Sequence, residues 1–162
     1  MTPTAILDDA VFRDAMAELP AGVAVITARD RDQAPVGATV SSMTSLSMDP
    51  PLVIVCLSRS SDTCRALRAG DAFAVHVLQQ GQEQIAAALA GKGAAKFDAV
   101  SLVPGDHDAP LIAGCAVTIR CLVERLVPGG DHMIVVGEVR HAVVHGGSPL
   151  LYHRRVIKRI PD

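Results

Sequence analysis

Residues Gly37–Leu52 have the sequence Gly-Ala-Thr-Val-Ser-Ser-Met-Thr-Ser-Leu-Ser-Met-Asp-Pro-Pro-Leu, in which six side chains between Thr39 and Ser47 carry a hydroxyl group. Successive side chains of a β-strand point to opposite faces, so the alternation predicts strands whose hydroxyl groups share one face. The hydroxyl face carries Thr39, Ser41, Ser45 and Ser47 together with Met43, and the opposite face carries Val40, Leu46 and Met48.

A face of short hydroxyl groups can bind an oxygen-rich ligand. Ser and Thr each supply one donor and two acceptor sites without burying a charge. A phosphate or a sugar-alcohol chain fits such a face. The same composition also suits an edge strand that faces water, because Thr is a good strand former and Ser is common in turns. Composition alone leaves both interpretations open.

The length and charge of the chain restrict its class. A chain of 162 residues can bury one hydrophobic core, and we expect a single domain over residues 1–162. Apolar residues make up 49% of the chain and charged residues 20%, so charged side chains are too few to cover a monomer, and we expect a homodimer. A net charge of −2 and only one Tyr and three Phe indicate no nucleic-acid partner.

The sequence lacks the signals of export, membrane insertion and metal binding. No basic region followed by an apolar run begins the chain, and no segment approaches the roughly 18 apolar residues that a membrane helix needs. We therefore expect a cytoplasmic protein without a membrane partner. The cysteines show no Cys-x-x-Cys spacing, and His141 and His145 lie in a predicted strand, so we expect no metal site.

Periodicity predicts a mainly β chain with few helices. One helix is predicted after Asp8 or Asp9. Two more are predicted over Asp62–Ala69 and Gln82–Ala90, and the aperiodic segment 91–110 is predicted as a long loop near a site. Strands are predicted over Val23–Ala28, Val36–Ser42, Ser45–Met48, Leu52–Leu57, Phe73–Leu78, Val117–Val127, Met133–Val144 and Leu150–Ile160. Many short strands with inserted helices favour an antiparallel barrel.

The hydroxyl-rich stretch also resembles a known family. Its second half matches the Ser-x-Ser-x-Asp-Pro-Pro-Leu part of the flavin-binding segment of the short-chain flavin reductases, the reductase components of two-component flavin-dependent monooxygenases. The matching residues are Ser45, Ser47, Asp49, Pro50, Pro51 and Leu52. The likeness extends from Leu19–Val23 through Gly130–His132 to Pro149–Tyr152. Two positions depart from the family pattern, since Ser41 replaces an Asn and Met43 replaces a Phe.

The resemblance implies a fold and a reaction. The fold is an antiparallel FMN-binding split β-barrel of the Greek-key type with a few short peripheral helices. The activity is that of an NAD(P)H:flavin oxidoreductase, which reduces FMN or FAD with NADH or NADPH and supplies reduced flavin to a partner monooxygenase. Two alternatives use the same barrel: a non-catalytic carrier of FMN or haem, and an enzyme similar to pyridoxamine-phosphate oxidase. The Ser-x-Asp-Pro-Pro stretch favours the reductases over the latter.

The resemblance also implies a set of flavin-binding residues. They are Thr39, Val40, Ser41, Ser42, Ser45, Leu46, Ser47, Ser58, Ser61, Thr63, Lys96 and Phe97. Val40 and Leu46 would act through backbone groups, because their side chains have no polar atoms. Lys96 would meet the flavin phosphate as a point charge. Without the resemblance, Lys96 is also consistent with a solvated loop lysine, and Ser61 or Asp62 with a helix N-cap.

His132 is the predicted catalytic residue. It follows the turn Gly129–Asp131 and matches the Gly-Asp-His motif of the family, whose imidazole lies near the flavin and the incoming nicotinamide. The resemblance therefore assigns His132 and Tyr152 to nicotinamide binding. Position alone also allows His132 to be an ordinary turn histidine.

Overall fold

A computed structural model describes residues 8–104 and 108–160, which form mainly strands. The helices are α1 (Asp9–Ala17), α2 (Asp62–Ala66) and α3 (Glu83–Ala90), with a 3-10 helix at Ala94–Phe97. The strands are β1 (Ala21–Gly22), β2 (Ala24–Arg29), β3 (Pro35–Val40), β4 (Thr44–Met48), β5 (Pro51–Ser58), β6 (Ala72–Val77), β7 (Val117–Gly129), β8 (His132–Val144), β9 (Leu150–His153) and β10 (Val156–Arg159). None of the helices in this part of the chain has the length and hydropathy of a membrane span. The N-terminal segment 1–7 and residues 105–107 of the predicted loop lie outside the described residues.

Seven strands form one antiparallel sheet in the order β3-β2-β6-β7-β8-β5-β4. Although β3 and β4 are consecutive in the chain, they are the two edge strands. The sheet curls so that the end of β3 approaches β5, where Ser42, two residues after β3, makes hydrogen bonds to Cys56. The result is an antiparallel barrel that stays open between β3 and β5, which confirms the predicted split barrel.

The inside of the curled sheet is filled by one hydrophobic cluster. Its fully buried members include Ile26, Val55, Phe73 and Val135. Gly137 on β8 makes room for the Phe73 ring, since a Cβ at this position would lie 2.3 Å from Cζ of Phe73. The Phe73 ring of β6 can therefore extend across the intervening strand β7 to β8 only because Gly137 has no side chain there.

A second hydrophobic cluster covers the outer face of the sheet and fixes α3. Val25 and Leu78 from the sheet pack with Leu89 of α3 and Leu150 of β9, and all four are buried. The strands β1, β9 and β10 form a small separate sheet over this cluster. The packing holds α3 beside the edge strand β3.

The C-terminal segment is a hairpin, whereas the sequence predicted one strand over Leu150–Ile160. Arg154 and Arg155 form its two-residue turn with φ of 52° and 62°. Such left-handed turns normally carry Gly or Asn, so two arginines give no turn signal in the sequence. Tertiary contacts stabilise the turn, because Arg154 pairs with Glu18 and Arg155 pairs with Asp14 of α1.

The helix α2 is shorter than predicted. It ends at Ala66 because Leu67 takes an extended backbone conformation and its side chain is buried in the barrel cluster. The other predicted elements are present, with ends that shift by one or two residues and with the 3-10 helix inside the predicted loop.

Candidate functional site

A cavity of about 680 Å³ lies in the split between β3 and β5. One wall is formed by the consecutive residues Gly37–Ser42, and the facing wall by residues 56–58, 60 and 61. The end of α3 and the following loop form a third side with residues 89–92 and Lys96, and His132 closes one end. This volume is in the usual range for small-molecule sites, about 300–1,000 Å³.

The edge of β3 explains why consecutive residues line the cavity. An edge strand leaves alternate backbone N–H and C=O groups outside the sheet ladder, where a ligand can bind them. The sequence pattern placed Thr39 and Ser41 on the face opposite Val40, yet all three line the cavity. Because the cavity runs along the edge of the strand and not over one face, the period of two does not separate them.

Some of the hydroxyl groups along this edge already have structural partners. Thr39 Oγ1 donates a hydrogen bond of 2.7 Å to the carbonyl of Ala86 on α3. Ser42 Oγ donates to the carbonyl of Cys56 at 3.0 Å and accepts from its N–H at 3.1 Å. Ser41 is exposed, and its side chain makes no hydrogen bond within the described part of the chain. Ser41 and the strand edge are therefore the groups most available to a ligand.

Three serines line the facing wall at the start of α2. Ser58 Oγ and Ser60 Oγ lie 2.9 Å apart. Ser61 Oγ accepts a hydrogen bond of 3.0 Å from the N–H of Cys64, so Ser61 is the N-cap of α2, and its own hydroxyl proton is left to donate. Thr63, also predicted to contact the ligand, is fully buried with an unpartnered Oγ1 and does not line the cavity.

Two cationic side chains stand at the same end of the cavity. Lys96 Nζ donates a hydrogen bond of 2.7 Å to the carbonyl of Gly37, and partial burial lowers the pKa of Lys96, an effect that the charge of Asp62 opposes. Arg65 pairs with Asp62 and donates to the carbonyl of Ser60 at 2.9 Å. Sequence reasoning missed Arg65, since an Asp and an Arg three residues apart on a helix usually form an ordinary surface pair.

His132 lines the cavity and is paired with Ser58 in the β5–β8 ladder. Its Nδ1 is 2.7 Å from Oδ1 of Asp131, and this hydrogen bond, together with the imidazole charge, lowers the pKa of Asp131. The contact fixes the ring through Nδ1. In the described residues, Nε2 has no hydrogen-bond partner and is left for a ligand.

Several predicted site residues lie elsewhere. Ser45, Leu46 and Ser47 belong to the other edge strand, β4, and do not line the cavity. A register shift between Ser45 and Ser47 interrupts the pairing of β4 with β5. Phe97 packs in the outer hydrophobic cluster. Tyr152 lines a neighbouring cavity of about 310 Å³, whose wall includes Thr39, Val40 and Ser41. The structure thus brings together Thr39, Val40, Ser41, Ser42, Ser58, Ser61, Lys96 and His132.

The cysteines are free thiols. Burial raises the pKa of Cys121 to about 12 and that of Cys115 to about 11, so both stay protonated and unreactive. Cys56 is half-buried and lines the cavity. Within residues 8–104 and 108–160, no group of three His, Cys, Asp or Glu side chains is arranged to hold a metal ion.

The chain is similar to known proteins along almost all of its length. Residues 16–161 match the family model described as flavin reductase like domain. The actinorhodin polyketide dimerase of Streptomyces coelicolor is 40% identical over 90% of this chain and 82% of that protein. The reductase component of 4-nitrophenol 4-monooxygenase/4-nitrocatechol 2-monooxygenase of Rhodococcus opacus is 37% identical over 91% of this chain and 79% of that protein. The solved NADH:FAD oxidoreductase SgcE6 of Streptomyces globisporus C-1027, in complex with NAD and FAD fragments, is 36% identical with a TM-score of 0.87, and 98% of each chain is covered.

Ser42→Ala should destabilise the fold because it removes both hydrogen bonds that join β3 to β5. Each bond contributes about 0.5–1.5 kcal/mol, and Ser42 is exposed enough for water to replace part of the loss, so the free energy of unfolding should fall by about 1 kcal/mol. Urea unfolding measures the change. Ser41→Ala is the matched control and should leave stability unchanged. Equal stability of the two variants would contradict the role of Ser42.

Proposed function

Because the chain belongs to the flavin reductase-like domain family, we propose that the cavity between β3 and β5 holds the isoalloxazine, ribityl and phosphate groups of FMN or FAD. The chain is an NAD(P)H-dependent flavin reductase. The observation that carries the assignment is the joining of a hydroxyl-lined strand edge, a cationic end and His132 in one cavity. We also propose that the 162 residues act as one flavin-binding domain.

The strand edge suits the polar edge of the flavin ring. The N–H and C=O groups of an edge strand present both donors and acceptors, which the ring carbonyls and ring N–H require. Ser41 adds a hydroxyl group that is not committed to the fold. Val40 contributes through its backbone, and Ser42 contributes by holding the two walls at a fixed separation.

The cationic end suits the flavin phosphate. Ser58, Ser60 and Ser61 supply hydroxyl donors, while Lys96 and Arg65 supply positive charge on the adjoining sides. Within the described part of the chain, no carboxylate lies within ion-pair distance of Lys96. A phosphate placed here would give Lys96 a direct ion pair, which the more distant Asp62 does not. Charge-assisted hydrogen bonds are about twice as strong as neutral ones.

His132 lies where a second ligand can enter after the flavin. Bound flavin supplies the hydride acceptor and the nicotinamide supplies the donor, so the chain needs no nucleophile. The task of the protein is to hold the two rings at roughly 3–3.5 Å. With Nδ1 donating to Asp131, Nε2 of the neutral His132 imidazole can accept a hydrogen bond from the carboxamide N–H of NADH or NADPH.

The reduced flavin would leave for a partner monooxygenase. The relative from Rhodococcus opacus, a monooxygenase reductase component, supports this role. His132 lines the cavity with 44% of its side chain exposed, which suits a flavin that exchanges. A non-catalytic FMN or haem carrier is not favoured, since the relatives with named activities are enzymes. We propose action in the cytoplasm, which the free thiols of the chain support.

A homodimer accounts for the apolar surface of the chain. The helix α1 has no buried residue, and Val11, Phe12 and Met16 on it are each about half exposed. Met48 on the edge strand β4 is 88% exposed. A monomeric protein rarely exposes such side chains in neighbouring groups, and a second copy is the simplest way to cover them.

Purified protein should oxidise NADH or NADPH only when FMN or FAD is added, with a rate that saturates in flavin. Absorbance at the nicotinamide band measures the reaction, and riboflavin tests the need for the phosphate. If the protein oxidised only one equivalent of NADH or NADPH, and added flavin did not increase this amount, the protein would be a carrier instead. A requirement for a polyketide would favour the activity after which the Streptomyces coelicolor relative is named.

His132→Ala should lower kcat/KM for the nicotinamide by about 10–100-fold, which is about 1.4–2.7 kcal/mol of transition-state stabilisation. Flavin affinity, measured by fluorescence titration, should change by less than a few-fold. His145→Ala is the control, since His145 is exposed and outside the cavity. If flavin affinity, kcat/KM for the nicotinamide and thermal stability all fell together, His132 would be a packing residue.

Sedimentation at micromolar concentration should give about twice the chain mass, because the α1 and β4 surfaces would be buried between two copies. Phe12→Glu on α1 should shift the protein towards the monomer, whereas Arg13→Glu next to it should not. A wild-type monomer with full flavin turnover would exclude the dimer.

A further inference from the structure

A second cavity, of about 360 Å³, adjoins the flavin cavity at its cationic end. Pro35 and Val36 of β3 line the second cavity, and the next residues of the same strand, from Gly37 onward, line the first. Both cavities are lined by Asp62, Arg65 and Lys96. These three side chains, here called the partition, therefore separate two compartments that follow one another along β3.

The partition carries positive charge that is only partly neutralised. Asp62 pairs with Arg65, which also donates to the carbonyl of Ser60. Lys96 donates to the carbonyl of Gly37 and has no carboxylate at ion-pair distance in the described residues. A group with two phosphates that crosses from one cavity to the other would pass directly over Lys96 and Arg65.

The second cavity combines an apolar wall with carboxylates. Ala34, Pro35, Val36 and Ala66 provide a surface on which a planar base can lie. Asp30 is committed to the turn, because its Oδ1 accepts from the N–H groups of Asp32 and Ala34 at 2.9 Å. Asp32 is exposed, and its carboxylate is free to accept from sugar hydroxyl groups.

We propose that the second cavity binds the adenosine diphosphate half of a dinucleotide, with its phosphates on the partition and its adenosine against Pro35 and Val36. The inference rests on the proposed function, since FMN is taken to fill the first cavity. Two substrates of the enzyme carry this chemistry, FAD and the nicotinamide dinucleotide. The adenosine diphosphate group in the second cavity is that of FAD or that of the nicotinamide dinucleotide, and the experiment below distinguishes the two.

Ala34→Trp tests the proposal, because Ala34 is exposed in a turn and lines the second cavity without lining the first. Ala69→Trp, at another exposed turn that lines neither cavity, is the control. KM is measured for FMN and FAD with NADH, and for NADH and reduced nicotinamide mononucleotide with FMN. Turnover of the wild-type protein with FMN and NADH tests the proposed function separately.

If FAD uses the second cavity, Ala34→Trp should raise its KM by about 10-fold and leave that of FMN within two-fold. If NADH uses it, the KM of NADH should rise by a similar factor and that of the mononucleotide should not. In the wild type, ADP should inhibit competitively against the same dinucleotide, a measurement that does not depend on the variant folding. Unchanged KM values in a folded Ala34→Trp variant, or a wild type that ADP does not inhibit, would overturn the proposal.

Discussion

The two hydrogen bonds between Ser42 and Cys56 join the end of the edge strand β3 to β5 in a sheet that does not close. The hydroxyl group of Ser42 acts as donor to the Cys56 carbonyl and as acceptor from its N–H, so one side chain substitutes for a pair of ladder hydrogen bonds. Beyond this point the edges diverge, and the gap becomes the cavity. The binding site is thus a consequence of incomplete strand pairing: the backbone groups that a closed barrel would use in its ladder are left for a ligand.

An open edge needs support from both of its sides. Inside the barrel, the Phe73 ring of β6 packs over β7 against Gly137 of β8 and fills the core behind the edge strands. Outside, α3 is fixed by the cluster around Leu89, and Thr39 ties the edge strand to that helix through Ala86.

The placement of neutral and charged groups in the cavity follows from the energetic cost of burying charge. Neutral hydroxyl and backbone groups line the long walls of the cavity, where a buried charge without a partner would be costly. The charges are confined to one end, where Lys96 and Arg65 remain near solvent and Asp62 offsets part of their field. The Asp131–His132 pair is partly exposed and lies on β8 beside Ser58 of β5. The distribution of charge would allow the site to hold an anionic ligand through its cationic end.

The sequence by itself determined the class of the protein, because the alternation of short strands, the hydroxyl-rich stretch and the Ser-x-Asp-Pro-Pro pattern are local features. It also indicated Ser41, Ser58, Lys96 and His132 as neighbours of one ligand, through family resemblance. Only the tertiary structure separated Ser45 and Ser47 from them, since the assignment of strands to opposite edges depends on pairings between residues far apart in the chain. The tertiary structure also placed Arg65 in the cavity, through the packing of α2 beside β3. It formed a left-handed turn from Arg154 and Arg155, because ion pairs with Glu18 and Asp14, which lie far away in the chain, offset the conformational cost of the turn.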